Sequence, residues 1–261
     1  MAEMKPLPIG VEDFKELIEK EYYFVDKTLM IKDLLDKRSK VSLFTRPRRF
    51  GKTLNMSMIQ RFFEKTGESN AYLFEGLNIS KTGQKYMQHQ GRYPVISVSL
   101  KSMKQATYEL AYETYKYIIK DEFRRHRAFI YHANVLDQEE QRRYDAFLDI
   151  NASDSVYYKA IGFLSVCLER AYHKNVIILI DEYDVPLENS YFCGFYDKMI
   201  GLIRSVFESA LKTNPALEFA VLTGCLRISK ESIFTGLNNL KVYSVTNNDF
   251  SEYFGFTQSE V

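Results

Sequence analysis

The sequence predicts an α/β fold with a mostly parallel sheet of five strands, because short apolar runs alternate with longer segments of helical period. The clearest run, "VIILID" (176–181), is apolar at consecutive positions, which is typical of a central parallel strand covered on both faces. The chain has 261 residues, of which 46% are hydrophobic and 26% charged, as in globular proteins. The five predicted strands are 41–45, 94–100, 176–181, 217–223 and 241–246.

Apolar residues spaced three or four apart predict three helices that face a core. The first begins near Thr53, the second near Ser155, and the third carries an apolar stripe that starts at Phe195. Segment 105–150 is rich in tyrosine and charge, and we interpret it as a helical insertion between the second and third strands. Its charged runs fit solvated helix faces or, alternatively, a partner-binding surface. We therefore predict a single domain over residues 1–261.

Composition and charge exclude several classes of protein. The formal net charge of +1 argues neither for nor against a nucleic-acid partner. Three widely spaced cysteines fit reduced thiols in a cytoplasmic protein better than disulfides or a metal site. No stretch approaches the roughly 20 apolar residues of a membrane helix, so no membrane association is expected.

The stretch "FTRPRRFGKTLN" (44–55) follows the first predicted strand and opens a predicted helix. At a helix N-terminus, Gly51 would let the backbone approach a phosphate, Lys52 would contact the β- and γ-phosphates, and the Thr53 hydroxyl would bind Mg²⁺. The usual motif opens with glycine where this chain has Arg46, so a basic turn without a ligand is the alternative. The predicted nucleotide-binding residues are Arg46, Pro47, Arg48, Arg49, Phe50, Gly51, Lys52, Thr53 and Leu54.

Two further strands end in polar residues. After "VIILI", Asp181 would hold magnesium and Glu182 would polarise the attacking water, or the pair would only cap a turn. Thr223 ends the fourth strand and could sense the γ-phosphate. Arg227 would bring positive charge towards that phosphate, unless it lies in a plain surface loop. The role of Asp184 stays open between orienting the site and capping the next segment.

The order of these elements is that of an ATPase core with an added catalytic-glutamate strand. The chain resembles the AAA-ATPase-like family of bacterial proteins through the stretches "YYFVDKT", "LFTRPRRFGKTLNMSM", "VIILIDEYDVPL" and "TGCLRISKESIFTGLNNLKVYSV". The resemblance implies a P-loop NTPase fold, ATP with Mg²⁺, and a loop in which Arg46 is the family's own variant. A loop that opens Arg46-Pro47 is stiffer than one that opens with glycine.

The predicted function is Mg²⁺-dependent ATP binding with slow hydrolysis. The catalytic residues would be Lys52, Glu182, Thr223 and Arg227, and the metal ligands Thr53 and Asp181. No Asn-Lys-x-Asp-like guanine reader occurs, which favours ATP over GTP. The aromatic run "YYFV" (22–25) would either cover the adenine or pack on the sheet.

Two alternatives concern partners. Family members usually continue into a C-terminal nuclease-like domain of the PD-(D/E)XK type, whereas this chain ends at "YFGFTQSEV". The alternative function is therefore an ATP-binding switch with little turnover that controls such a domain, and through it nucleic acid. A nucleic-acid-binding module that uses Arg124, Arg125, Arg142 and Arg143 is a third hypothesis. A homo-oligomer would let a neighbouring subunit supply a missing arginine, whose absence predicts slow hydrolysis.

Overall fold

A five-stranded, all-parallel sheet with the order β2-β3-β4-β1-β5 organises the chain. The computed structural model describes residues 5–150, 152–226, 233–234 and 237–260. Strand β4 lies between β1 and β3, so the carboxyl ends of these three strands meet at one edge of the sheet. The strands are β1 (Val41–Thr45), β2 (Val95–Ser99), β3 (Val176–Asp181), β4 (Leu217–Gly224) and β5 (Leu240–Tyr243).

Both faces of the sheet are buried, as the continuous apolar strands predict. In β3, Ile178 and Ile180 belong to one core cluster, whereas Ile177 and Leu179 belong to the cluster on the opposite face. The alternation follows from the two-residue period of a strand. A central strand covered on both faces therefore carries its polar residues only where it ends.

Helices cover the two faces. The 26-residue α5 is the longest, and none of the described helices is long and apolar enough to cross a membrane. A π turn at Glu208–Lys212 extends the last helix. The helices are α1 (Phe14–Glu19), α2 (Leu29–Lys37), α3 (Lys52–Phe63), α4 (Gln84–Met87), α5 (Tyr108–Ala133), α6 (Gln138–Leu148), α7 (Asp154–Tyr157), α8 (Ala160–Tyr172), α9 (Val185–Cys193) and α10 (Tyr196–Phe207).

The α/β class, the five strands and the helical segment 105–150 are confirmed. The bounds of β2, β4 and β5 differ from the predicted ones by one to three residues, and one predicted helix is divided. The last strand ends at Tyr243 rather than 246, because the Ser244 N–H donates to the Asn247 side chain (2.8 Å) and begins a turn. The helix expected from Ser155 is two helices, α7 and α8, with a break at Lys159 where the backbone leaves helical geometry (φ −105°, ψ 4°).

The insertion helix α5 closes an exposed edge of the sheet. Strand β2 lies at that edge, and its outward Ser97 N–H donates to the Glu122 carboxylate at 2.9 Å. Arg125, one turn along α5, donates to the outward carbonyl of Val95 and to both Glu122 and Glu64. These side chains form hydrogen bonds with backbone groups of β2 that would otherwise be free to pair with another strand. Part of the charge in this segment is therefore structural rather than solvated.

The Glu122 carboxyl is ionised in this arrangement. Burial alone raises its pKa, but the charge of Arg125 and the hydrogen bonds of Arg125 and His126 outweigh burial and lower the pKa to about 2. Glu64 and Glu122 have side chains only 7% exposed, whereas 33% of the Arg125 side chain is exposed. Loss of Arg125 would leave two nearly buried carboxylates without their counter-charge.

We predict that Arg125→Met lowers the free energy of unfolding by about 2–4 kcal/mol, a value reduced for the partial exposure of the guanidinium. Arg124→Met is the matched control, because this neighbouring arginine is 63% exposed and pairs with Asp121 on the same helix. We expect a change below about 0.5 kcal/mol for the control. Urea denaturation measures both, and equal effects of the two substitutions would contradict the proposed role of Arg125.

Candidate functional site

The loop between β1 and α3 has the shape of an anion-binding turn. Arg49 and Gly51 adopt left-handed backbone angles (φ 69° and 76°), and α3 begins directly afterwards at Lys52. Glycine takes this conformation without steric cost, which explains Gly51 at the helix N-cap. The first N–H groups of a helix have no intrahelical partners, so they point at any anion held by the loop.

Lys52 lies at the centre of this loop. Its buried ammonium donates to the carbonyls of Arg46 (3.0 Å) and Pro47 (2.9 Å) and approaches the Cys225 sulfur at 3.3 Å. The two carbonyls orient the ammonium across the loop. Lysine is thereby held where a loop-bound phosphate would meet a positive charge.

Arg46 points away from the loop. Its backbone N–H donates to the Gly224 carbonyl (3.0 Å) and continues the ladder between β1 and β4. Its buried guanidinium donates to the Tyr243 carbonyl (2.7 Å) at the end of β5 and lies 4.8 Å from the Phe254 ring. The arginine that replaces the expected glycine therefore joins the loop to the C-terminal segment and leaves the loop interior open.

The Asp181 carboxylate joins the ends of β3 and β4 to the first turn of α3. Thr53, in the first turn of α3, donates its hydroxyl to Asp181 Oδ2 at 2.7 Å, and Thr223 at the end of β4 donates to Asp181 Oδ1. Asp181 and Thr223 are buried. The strand order β3-β4-β1 makes this arrangement possible, because β4 brings Thr223 beside Asp181 while α3 brings Thr53 from the other side.

Glu182 follows Asp181 at the mouth of the site. It adopts a left-handed conformation (φ 54°), which turns the chain sharply where β3 ends. Burial and the neighbouring Asp181 charge raise the pKa of its carboxyl, against the opposing charges of Lys101 and Lys52. A raised pKa makes the carboxylate a better proton acceptor near neutral pH.

The oxygen atoms of Thr53 and Asp181 suit a magnesium ion that also binds phosphates better than they suit a metal ion bound by protein ligands alone. Hydroxyl and carboxylate oxygens are ligands that Mg²⁺ accepts, and Mg²⁺ usually takes one or two protein ligands together with phosphates. In the described part of the chain, no three His, Cys, Asp or Glu residues gather as a metal cluster.

A cavity of about 810 Å³ opens above the loop. Among the predicted site residues it is lined by Arg48, Arg49, Phe50, Gly51, Lys52, Thr53, Leu54 and Glu182. Four predicted site residues do not line it, namely Arg46, Pro47, Asp181 and Thr223. Arg48 is exposed and pairs with Glu188 at 3.4 Å. Arg227 lies outside the described residues.

A family model described as Predicted AAA-ATPase matches residues 8–234, which include both the loop before α3 and the Asp181 strand. This chain belongs to that family. The match agrees with the resemblance seen in the motifs, and with the parallel sheet flanked by helices.

One curated relative is an uncharacterized protein in the vnfD 5' region of Azotobacter chroococcum mcd 1, which is 28% identical over 259 residues. The alignment covers 98% of this chain but 44% of the relative, so the chain spans less than half of that protein's length. No solved structure matches the chain.

In this AAA-ATPase-family chain the residues after Glu182 fasten β3 to β4. The Asp184 carboxylate accepts from the backbone N–H groups of Cys225 (2.8 Å) and Leu226 (2.7 Å), while the Tyr183 hydroxyl donates to the Leu226 carbonyl (2.6 Å). The Asp184 side chain therefore orients the segment that follows Thr223, while its backbone forms the N-cap of α9 without a side-chain capping hydrogen bond. Sequence reasoning missed both this contact and that of Cys225 with Lys52, because each joins residues far apart in the chain.

We predict that Gly224→Ala disrupts this junction. A Cβ at Gly224 would lie 2.5 Å from the Tyr183 ring and 2.6 Å from Asp184 Oδ1, so backbone or ring must move. Such overpacking costs about 1–3 kcal/mol of unfolding free energy. Thermal and chemical denaturation measure the loss.

The matched control is Gly201→Ala in α10, where a Cβ meets nothing within 4 Å. Alanine favours a helix over glycine, so we expect this variant to gain about 0.5–1 kcal/mol. A Gly224→Ala protein as stable as the wild type would show that the junction between β3 and β4 is loosely packed.

Proposed function

We propose that this chain binds ATP together with Mg²⁺ and hydrolyses it slowly. The observation that carries the proposal is the contact of Asp181 with both Thr53 and Thr223, directly beside the loop that holds Lys52. These residues supply an ammonium, two hydroxyls and a carboxylate at the N-terminus of one helix. Phosphoryl transfer needs mainly such positioning and charge neutralisation.

Each residue has a separate role in the proposal. The N–H groups at the start of α3 and the Lys52 ammonium bind the phosphates, while Thr53 and Asp181 would hold the metal ion. When bound, Mg²⁺ would neutralise phosphate charge and orient the β- and γ-phosphates. Glu182 accepts the proton of the attacking water, and Thr223 holds the Asp181 carboxylate in place.

Slow turnover is proposed because two arginines of the loop already interact with other groups of the protein. Arg48 pairs with Glu188, and the buried guanidinium of Arg46 is directed at β5 and the C-terminal segment. Arg49 lines the cavity, as Arg48 does. An arginine supplied to the transition state is worth about 10³–10⁵ in rate.

The second candidate is an ATP-binding switch with little turnover. It is favoured by the contacts that tie the loop to the C-terminal segment, since Arg46 reaches the Phe254 ring and the Phe50 carbonyl accepts from the Gly255 N–H at 3.3 Å. A ligand that moved the loop would also move this segment. The chain spans 44% of the relative's length, so the target of such a switch is a further proposal.

Other partners stay predictions. Of the four arginines considered for nucleic acid, Arg125 is held by two carboxylates and the Arg143 guanidinium lies 4.3 Å over the Phe163 ring. These contacts give no support to a basic surface formed by the four side chains. A homo-oligomer, a cytoplasmic location and contact with nucleic acid through a further domain are not needed for the ATP-binding proposal.

We predict that Lys52→Ala weakens ATP binding about 10- to 100-fold, because charged hydrogen bonds of about 1.5–3 kcal/mol are lost. Isothermal titration calorimetry with Mg²⁺ measures the affinity. Lys198→Ala is the control, because Lys198 is 66% exposed on α10 and does not line the cavity. Unchanged ATP affinity in Lys52→Ala would contradict the proposal that this loop binds the phosphates.

We also predict that Glu182→Gln lowers ATP turnover by about 10²–10⁴ while binding is retained, because the general base is lost but its shape is kept. The control is Glu113→Gln on the exposed side of α5. Phosphate release and calorimetry are measured on the same preparations. Equal turnover by wild type and Glu182→Gln would favour the switch over the ATPase.

A further inference from the structure

The cavity above the loop extends well beyond the space near Lys52. Its volume of about 810 Å³ lies within the range of about 300–1,000 Å³ that ligand pockets occupy. One end is lined by Gly51, Lys52 and Thr53. The far wall is built by Phe50 and by residues from two segments distant in sequence, within 7–27 and within 253–260.

Exposed apolar side chains are concentrated on this far wall. Tyr23 is 50% exposed and Phe256 is 69% exposed, and both line the cavity, as do the exposed Leu7 and Phe50. An apolar surface left open inside a concave site, next to a few polar groups, is typical of a ligand pocket. The wall therefore suits a flat apolar group joined to an anionic one.

The N-terminal side of the wall is held by backbone and core contacts. The Tyr23 N–H donates to the Pro6 carbonyl at 2.8 Å, which places Leu7 beside Tyr23. The next residue, Phe24, packs edge-on against Phe14 with ring centroids 5.6 Å apart. Within the run "YYFV", Phe24 therefore packs on α1 and also lines the cavity together with Tyr23 and Val25.

The C-terminal side is fastened to the phosphate loop and its helix. Asn55 of α3 donates to the Tyr253 carbonyl at 2.8 Å, and the Gly255 N–H donates to the Phe50 carbonyl. Gly255 has φ 75°, and a Cβ there would lie 3.1 Å from the Phe50 ring. Glycine at this position lets the chain pass the Phe50 ring closely and continue into Phe256.

An ion pair connects the N-terminal and C-terminal sides of the wall. The Lys27 ammonium, whose side chain is 9% exposed, donates to the Glu260 carboxylate (2.6 Å) and to the Glu252 carbonyl (2.6 Å). Glu260 in turn accepts from the Thr257 N–H at 2.7 Å. Lys27 and Glu260 both line the cavity, so this pair joins its N-terminal and C-terminal walls.

We infer that the wall of Leu7, Tyr23, Phe50 and Phe256 binds the base and ribose of the nucleotide whose phosphates lie on the loop, and that Lys27 and Glu260 hold this wall closed. The inference rests on the proposed function and adds the residues that recognise the nucleoside. A purine base has two apolar faces, and stacking on aromatic side chains is how proteins bind such faces. The Asp181 site contacts only the charged end of the ligand.

The test compares MgATP with magnesium tripolyphosphate, which has the phosphate chain but no base. We expect Phe256→Ala to weaken MgATP binding about 10-fold and to leave tripolyphosphate binding unchanged, by the usual contribution of one stacking contact. Phe192→Ala is the matched control, because Phe192 is 78% exposed and does not line the cavity. Lys52→Ala should weaken both ligands.

Lys27→Met and Glu260→Gln test the closing ion pair in the same assay. Each should weaken MgATP binding without affecting tripolyphosphate, and the double variant should lose little more than either single one. Calorimetry measures the affinities, and circular dichroism verifies that each variant is folded.

The outcomes separate the inference from the function on which it rests. Wild-type affinity for MgATP in Phe256→Ala, or equal weakening of both ligands, would overturn the base-binding wall while leaving the phosphate loop intact. If Lys52→Ala binds both ligands as the wild type does, the proposed function itself fails.

Discussion

The Asp181 carboxylate is the point on which the site depends, because it accepts hydrogen bonds from two hydroxyls that belong to different elements. Thr53 arrives from the helix after β1, and Thr223 from the end of β4. In this sheet β4 lies between β1 and β3, and both hydroxyls reach the one carboxylate. The Asp184 and Tyr183 contacts to residues 225–226, together with the absence of a side chain at Gly224, hold the two strand ends at this spacing.

The loop sequence departs from the usual pattern at Arg46, and the structure explains how this is tolerated. The Arg46 backbone still continues β1 along β4, while its side chain turns away from the loop towards β5 and Phe254. Burial lowers the pKa of the guanidinium, and backbone carbonyls and an aromatic face stabilise its charge. The substitution therefore adds a tie to the C-terminal segment without filling the phosphate space.

Local sequence patterns predicted the strands and helices well, but they did not predict the contacts between residues distant in sequence. The bounds of β3 follow from five consecutive apolar residues, those of β1 from a short, mostly apolar run, and the start of α3 from Gly51 and its helical stripe. Helical periodicity could not reveal that Arg125 would hydrogen-bond the edge strand β2, because the pattern within a helix does not identify the strand that packs beside it. The same applies to Lys27 and Glu260, which are 233 positions apart and meet only because both ends of the chain pack on the loop. The positions of Lys52, Thr53 and Asp181 were predictable because a strand end and a helix N-terminus have fixed places in such a sheet.

The most direct test of the account is the magnesium dependence of ATP binding, measured by calorimetry on wild type and on Thr53→Val, which removes the hydroxyl and keeps the side-chain shape. If Thr53 and Asp181 form the metal site, wild type binds ATP more tightly with Mg²⁺ than without it, and Thr53→Val loses this difference. Wild-type affinity that does not change when Mg²⁺ is removed, or an undiminished Mg²⁺ effect in Thr53→Val, would contradict the assignment.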